Sequence, residues 1–421
     1  MRILIGADTY APDVNGASYF AQRLTGGLAA RGHEVHLVRP SRTTTSTSSI
    51  VDACAPADGH TTGPGRPGAT LVEHRIASLP VPRPRGFRIS PPVRLVNRVR
   101  TLLIRIRPDV VHVQSHVLIG RALTIAANEL GIAVVATTHM VPDNLTPYLP
   151  LGPRGLERAR TWFWRAAAEV LGRADVVTAP TPYAARLAES HGVAGPVLPV
   201  SNGLDRTRFH PDRDPTGFCR RHRLENRPTV GYLGRLDQEK NLDELVTAFA
   251  LLRRSTDAQL LLVGDGDRRR QLAALARRLE VDRDVLMTGA LADHEIPDAY
   301  AAMDVFVHPG TAELQSLVTL EAMATARPVI AVSAGALPHL VHHGRNGYLY
   351  RHGDSATLAR HLRHLLTDRD AAEQAGRHSL EIVGRHTLAA TLSEFETLYV
   401  RAVTYSRTSS VSPAARKPAL R

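Results

Sequence analysis

Cysteine is almost missing from this chain: Cys54 and Cys219 are the only two in 421 residues, which excludes a disulfide framework and fits a reducing compartment. No apolar run of about 18 residues or more occurs, so the ordinary signature of a membrane-spanning helix is lacking. The opening Met1-Arg-Ile-Leu-Ile-Gly-Ala-Asp8 carries an early Asp and reads as a strand, not a signal peptide. Aromatic residues make up only 5%, and the basic stretches lack interleaved stacking rings, which argues against nucleic acid as a partner. Neither Gly-x-Gly-x-x-Gly nor Gly-x4-Gly-Lys-Ser/Thr is present, so nicotinamide chemistry and nucleotide hydrolysis lack their fingerprints. Histidine is plentiful at 20, yet no His-Glu-x-x-His or Cys/His spacing appears, and no metal site is expected. The expected location is cytoplasmic, with a peripheral place at the inner membrane face if the basic stretch described below touches lipid.

What is present is α/β grammar over a length that suits two domains. Arg2 to Ala7 is a short apolar strand, Thr9 to Asn15 a turn-rich loop, Gly16 opens a helix to about Ala30, and Glu34 to Val38 is a second strand. Without a Cβ, Gly16 lets a phosphate approach a helix N-terminus; an ordinary Asn15-Gly16 turn is the plainer account. The first domain is expected over 1–198 and the second over 199–384, with Pro196, Pro199 and the Ser201-Asn-Gly203 turn at the junction. A helix is expected over 388–403 and a disordered basic tail over 406–421, while Ser41 to Gly68, rich in Thr, Ser, Pro and Gly, reads as a mobile loop.

Thr311-Ala-Glu-Leu-Gln-Ser-Leu-Val-Thr-Leu-Glu-Ala-Met-Ala324 sets two carboxylates, Glu313 and Glu321, across a loop-to-helix junction. Ser316 can cap a helix from about Leu317 to Ala326, whose first-turn N–H groups then point toward the loop carrying Glu313. Beside those amides Glu313 can accept from sugar hydroxyls, and Glu321 from a ribose diol. The same spacing also suits two solvated carboxylates. Upstream, Val230-Gly-Tyr-Leu-Gly-Arg-Leu-Asp-Gln-Glu-Lys-Asn241 places a strand before a loop with Arg235 and Lys240, ahead of a helix from Leu242 to Arg253. A departing diphosphate gains charge as a glycosidic bond breaks, so preorganised Arg and Lys donors favour the transition state. Two exposed loop cations are the plainer account. Val134 to His139 ends a strand on His139, where ligands collect in open α/β sheets, and His139 is equally readable as a satisfied strand-end histidine; Asp143, in the turn that follows, is a weaker candidate for contact with the acceptor.

The formal charge of +12 is uneven, for Arg75 to Arg107 holds nine arginines and no acidic residue. On a helix from Val93 to Arg107, Leu95, Val96, Val99, Leu102, Leu103 and Ile106 share one face and Arg94, Arg98 and Arg105 another. A sheet-covering helix with solvated arginines and a helix on an anionic membrane surface both fit this pattern, and both can hold at once.

Taken together, Ser201-Asn-Gly-Leu-Asp205 with Phe209, Gly231 to Lys240, Leu262-Val-Gly-Asp-Gly266 and Glu313 to Glu321 resemble, in order and spacing, the family-4 glycosyltransferases, and the resemblance extends over nearly all of the chain. It implies the GT-B fold: α/β, two Rossmann-like domains facing across a cleft, with the C-terminal helix crossing back to domain one. It implies a retaining transfer of a hexose from a UDP- or GDP-sugar to a hydroxyl acceptor, a lipid or a small molecule, with no tightly bound cofactor and magnesium at most accompanying the nucleotide. It gives catalytic roles to His139, Arg235, Lys240 and Glu313, and donor-binding roles to Gly16, Asn202, Gly234, Arg235, Lys240, Gln315, Ser316, Leu317 and Glu321. Departure and attack are implied on one face of the sugar through an oxocarbenium ion pair, with Glu313 positioning the sugar and not bonding to it. Many relatives have an aromatic residue and Gly after the first Glu, whereas Leu314-Gln315-Ser316 here resembles the subgroup that includes diacylglycerol glycosyltransferases. Leu79 to Ile89, with Phe87, resembles the Pro-rich basic loop of lipid-glycosylating relatives. A sugar-nucleotide epimerase, a sugar phosphorylase and a non-catalytic membrane-binding protein remain the other readings.

Overall fold

The computed structural model describes residues 1–10, 15–42, 45–52, 70–80, 88–144 and 149–410. Cys54, Arg83, Arg85, Phe87, the side chain of Asp143 and residues 411–421 therefore lie outside the described residues. The chain divides into two compact units, Met1–Gly203 with Leu388 onward, and Leu204–Thr387.

The first unit is built on a sheet of β1 (Arg2–Gly6), β2 (Glu34–Pro40), β3 (Thr47–Asp52), β4 (Thr70–Ile76), β7 (Val110–Val113), β8 (Ala133–Thr137), β9 (Val176–Ala179) and β10 (Val197–Pro199), while β5 (Leu79–Pro80) and β6 (Arg88–Ile89) form a separate antiparallel pair. The strand order is β10-β9-β8-β7-β1-β2-β4-β3, parallel throughout except that β3 runs antiparallel to β4. Strand β3 corrects the sequence expectation for Ser41 to Gly68: six of those residues pair with β4 despite their Thr/Ser-rich composition, because cross-strand pairing outweighs local propensity at a sheet edge. On one face of the sheet, Phe20, Leu24 and Leu28 of the helix Gly16–Ala30 join Leu392, Phe395, Leu398 and Tyr399 of the helix Leu388–Ser410 in a single core with Ile3, Ile5, Val35, Leu37, Val110 and Val135. That last helix runs on to Ser410, so residues 406–410 are helical and not part of a disordered tail. The helix Leu95–Ile106 packs beside Leu118–Glu129 with Leu95, Val99, Leu102, Leu103 and Ile106 buried, and leaves Arg98 and Arg105 outward.

The second unit holds six parallel strands, β11 (Thr229–Leu233), β12 (Gln259–Val263), β13 (Val285–Gly289), β14 (Val305–His308), β15 (Val329–Val332) and β16 (Gly347–Tyr350), in the order β13-β12-β11-β14-β15-β16. Their near-continuous apolar runs, such as Leu260-Leu-Leu-Val263 and Val305-Phe-Val307, are buried because helices cover parallel sheets on both faces. In each unit the chain winds outward from one central strand in both directions. This puts a topological switch point between β1 and β7 in the first unit and between β11 and β14 in the second, the places where open α/β sheets bind ligands. Among the described residues no helix is long and apolar enough to cross a membrane.

Candidate functional site

At the switch point of the second unit, the loops after β11 and β14 leave adjacent parallel strands. Gly234 follows β11 at φ 148°, a backbone angle that side-chain-bearing residues rarely adopt, and it turns the chain sharply into Arg235. After β14 comes Gly310, where an added Cβ would stand 2.9 Å from His308 Cε1 and 3.3 Å from Lys240 Cδ, so the missing side chain keeps space open beside the lysine. Asn241 Nδ2 donates to the Pro309 carbonyl at 3.3 Å and ties the two loops together. Asn241 precedes the helix Leu242–Arg253, whose ends match the sequence expectation.

Lys240 and Glu313 meet here, with Nζ 2.6 Å from Oε1. His308, the last residue of β14, stands on the same carboxylate oxygen at 3.3 Å through Nε2. The Gly310 N–H donates to His308 Nδ1 at 3.1 Å, which leaves the ring proton on Nε2, aimed at Glu313. Burial pushes the Glu313 carboxyl up, but the Lys240 charge and the hydrogen bonds from Lys240 and His308 outweigh it and hold the group well below the usual carboxylate range. Glu313 is thus an anion fixed by two donors, able to take further hydrogen bonds from hydroxyl groups.

Arg235 takes a different course from the sequence expectation of an open cation. Its guanidinium lies 2.6 Å from Asp237 Oδ2 through Nη1 and pairs with Glu239 through Nη2, so two acids of its own loop hold it. Ser316, at φ 79°, caps the helix Leu317–Ala324 by accepting from the Thr319 N–H at 3.4 Å, and Gln315, Ser316 and Leu317 are all buried at this junction. Glu321, one turn further along the same helix, is buried and accepts from the Tyr300 hydroxyl at 3.0 Å.

In the first unit, His139 lies two residues beyond β8, half-buried, its Nε2 2.9 Å from Gln114 Oε1 and its ring 4.8 Å from that of Phe20. Burial pushes its pKa down to about 3, so it is a neutral imidazole at pH 7. Gly16 is the first residue of its helix, and Asn15 Oδ1 accepts from the Ser18 N–H at 2.9 Å, occupying one donor of that N-terminus. Asn202 is buried within the first unit, next to the unit boundary after Gly203.

Sequence reasoning missed several groups at these strand ends. His308 was detectable, since Val305-Phe-Val-His308 is a short apolar run closed by histidine, the same pattern that singles out His139 after Val134. Asp8, just after β1, accepts from the Ser115 hydroxyl and from the N–H groups of Ile119 at 2.8 Å and Gly120 at 3.2 Å; burial pushes its pKa up, with those bonds opposing. It holds the β7 loop against the N-terminus of the helix Leu118–Glu129. His116 in that loop is buried with Nδ1 unpartnered, lies edge-on to Phe163 at 4.6 Å, and is pushed down to about 4 by burial. No motif in the sequence marks these two.

Comparison with known proteins bears on both units. A family model described as Glycosyltransferase Family 4 matches residues 14–208, and one described as Glycosyl transferases group 1 matches residues 227–368. A GDP-mannose-dependent alpha-mannosyltransferase of Mycolicibacterium smegmatis is 30% identical over 387 residues, covering 90% of this chain and 92% of that protein. A GDP-mannose-dependent alpha-(1-6)-phosphatidylinositol monomannoside mannosyltransferase of Mycobacterium tuberculosis is 37% identical over 235 residues, 52% of this chain and 61% of that protein. Among solved structures, sucrose-phosphate synthase from Thermosynechococcus elongatus superposes with a TM-score of 0.78 at 21% identity, covering 96% of this chain and 100% of that one. With two Rossmann-like units of this topology, matched along most of its length, the chain belongs to the family-4 glycosyltransferases and has the GT-B fold.

Proposed function

We propose that this glycosyltransferase moves a hexose, with mannose the first candidate, from a nucleoside-diphosphate sugar to a hydroxyl of a membrane lipid, with retention at the anomeric carbon. The observation that carries the reading is the Lys240–Glu313–His308 cluster at the switch point of the second unit. A buried carboxylate flanked by a fixed lysine has the chemistry a sugar diphosphate needs, hydroxyl acceptance on one side and a cation for phosphate oxygens on the other. Glu321 takes the ribose diol, and the first-turn amides of Leu317–Ala324 face the sugar phosphates. Arg235 adds a second cation, but a diphosphate competes there with Asp237 and Glu239, so Lys240 is assigned the larger share. With two cations at hand the reaction needs no dedicated metal.

As the bond from the anomeric carbon to the diphosphate oxygen breaks, charge gathers on that oxygen. The acceptor oxygen bonds to the anomeric carbon on the same face and gives its proton to the leaving phosphate. Glu313 orients the sugar throughout and forms no bond to it, since two donors already hold its oxygen in place. GDP-mannose is favoured as donor by the activities named for the relatives, and a lipid acceptor by the phosphatidylinositol mannoside in one of those names and by the outward arginines of the helix Leu95–Ile106. The test is a panel of UDP- and GDP-sugars incubated with the protein and a cell extract split into lipid and aqueous phases. Consumption of GDP-mannose with the label in the lipid phase supports the whole reading. Label in the aqueous phase keeps the transferase chemistry and replaces the lipid by a soluble polyol, and donor loss without any acceptor points to an epimerase or hydrolase.

A further inference from the structure

A buried chain of hydrogen bonds runs from the C-terminal helix to His139. The Tyr399 hydroxyl is 2.7 Å from His112 Nδ1, the Gln114 amide nitrogen 3.2 Å from His112 Nε2, and Gln114 Oε1 2.9 Å from His139 Nε2. Thr137 Oγ1 also lies 2.7 Å from His112 Nε2, and Thr178 Oγ1 2.7 Å from Thr137. Tyr399, His112, Thr137, Thr178 and Gln114 are all buried, and Phe395 packs its ring 4.9 Å from His112 and 5.7 Å from Phe20, which in turn lies against His139.

The amide decides where the protons sit. An amide NH2 only donates, so His112 Nε2 is the bare acceptor and His112 carries its proton on Nδ1, donating to Tyr399. An amide oxygen only accepts, so His139 carries its proton on Nε2, and its Nδ1 is left bare with no hydrogen-bond partner among the described residues. Burial pushes the pKa values of His112 and His139 down to about 3, so neither ring is doubly protonated at pH 7. Turning the Gln114 amide over would reverse each bond along the chain and move the His139 proton to Nδ1. The relay therefore has two self-consistent states, and the amide orientation selects one.

We propose that Gln114 is a positioning residue that fixes His139 as the Nε2–H tautomer and so presents a bare Nδ1 as hydrogen-bond acceptor to a substrate hydroxyl. The proposal rests on the reading of His139 as a substrate-facing group. It also gives the helix Leu388–Ser410 a task beyond covering the sheet, since Tyr399 anchors the far end of the relay.

Long-range proton–nitrogen NMR on the full-length protein with 15N-labelled histidine reads the tautomer directly. At pH 7 the wild type is expected to show His139 protonated at Nε2 and bare at Nδ1; a proton on Nδ1, or a cationic ring, overturns the proposal without any variant being needed. Gln114→Leu removes the amide and is expected to give a mixture of His139 tautomers and a turnover lowered about five- to tenfold, the worth of one hydrogen bond, with the donor KM little changed. Gln114→Glu keeps the accepting oxygen and is expected to restore the Nε2–H signal. An unchanged tautomer in Gln114→Leu contradicts the relay. If the tautomer shifts as expected but His139→Ala keeps full turnover, the relay stands and the substrate-facing role of His139 fails.

Discussion

Lys240 Nζ and Glu313 Oε1 lie 2.6 Å apart across 73 residues of sequence, joined because β11 and β14 are neighbours in the sheet and their following loops meet at one edge. Each partner is only slightly exposed, so the pair is shielded enough for its loss to be felt.

Lys240→Ala leaves a buried carboxylate short of a partner and is expected to cost about 3 kcal/mol of stability, the usual order for breaking such a pair. Glu313→Gln with Lys240→Met removes both charges and should recover most of that stability. Turnover should stay depressed on the order of a hundredfold in both the single and the double variant, since both remove the cation proposed to stabilise the transition state. Chemical denaturation beside initial rates separates the two effects; turnover recovering in step with stability would mean that the pair is structural.

The two glutamates should part company in calorimetry. Glu321→Gln is expected to weaken both the free nucleoside diphosphate and the full donor. Glu313→Gln should spare the free nucleotide and weaken only sugar-bearing ligands. Equal losses for both ligands in both variants would remove the distinct assignments.

Stability should fall with acid earlier than carboxylates alone would cause. His112 has a folded pKa near 3, below its unfolded value of about 6.5, so the unfolded chain binds more protons between those limits. The contribution is full above about pH 6.5 and is lost as pH falls toward 3, the loss reaching about 2 kcal/mol by pH 5 for this one group. His139 and His116 add in the same direction, and Glu313, with its depressed pKa, adds a further loss below about pH 4.5. Urea titrations from pH 7.5 to 4.5 measure the slope, and His112→Gln should flatten it.

The basic face can be tested with fewer residues than the sequence would choose. Arg88 is committed inward, its Nε 2.9 Å from the Ser41 carbonyl and its Nη2 2.8 Å from that of Ser78, whereas Arg94, Arg98 and Arg105 are exposed. Changing these three to Gln should weaken sedimentation with anionic vesicles roughly a hundredfold at about 1 kcal/mol each, and salt should do the same to the wild type. A wild type that never binds anionic vesicles at low salt would take away the electrostatic support for a lipid acceptor.

Much of this architecture is legible in the sequence where local pattern and tertiary demand agree. Buried strands announce themselves as short apolar runs closed by Gly or Pro, and Leu242–Arg253 and Leu95–Ile106 show helical periodicity with clear stops. Strand β3 is not legible, because a Thr/Ser-rich segment looks like a loop until its partner is known. The candidate site was legible in its residue types but not in its pairings. Arg235 and Lys240 look alike as loop cations, yet Asp237 and Glu239 beside Arg235 claim its guanidinium while Lys240 reaches across to Glu313. His308 and Gln114 matter only through what they touch, and contact over such distances leaves no local signal.

The most direct test of the central claim is the anomeric configuration of the product. With GDP-mannose, whose mannose is α-linked, the one-bond carbon–proton coupling at C1 of the isolated product distinguishes the two anomers. The account predicts an α-linked hexose formed with one free nucleoside diphosphate per transfer, at a rate that falls on the order of a hundredfold in Lys240→Ala. A β-linked product, or donor consumed with no hexose passed to any acceptor, would contradict it.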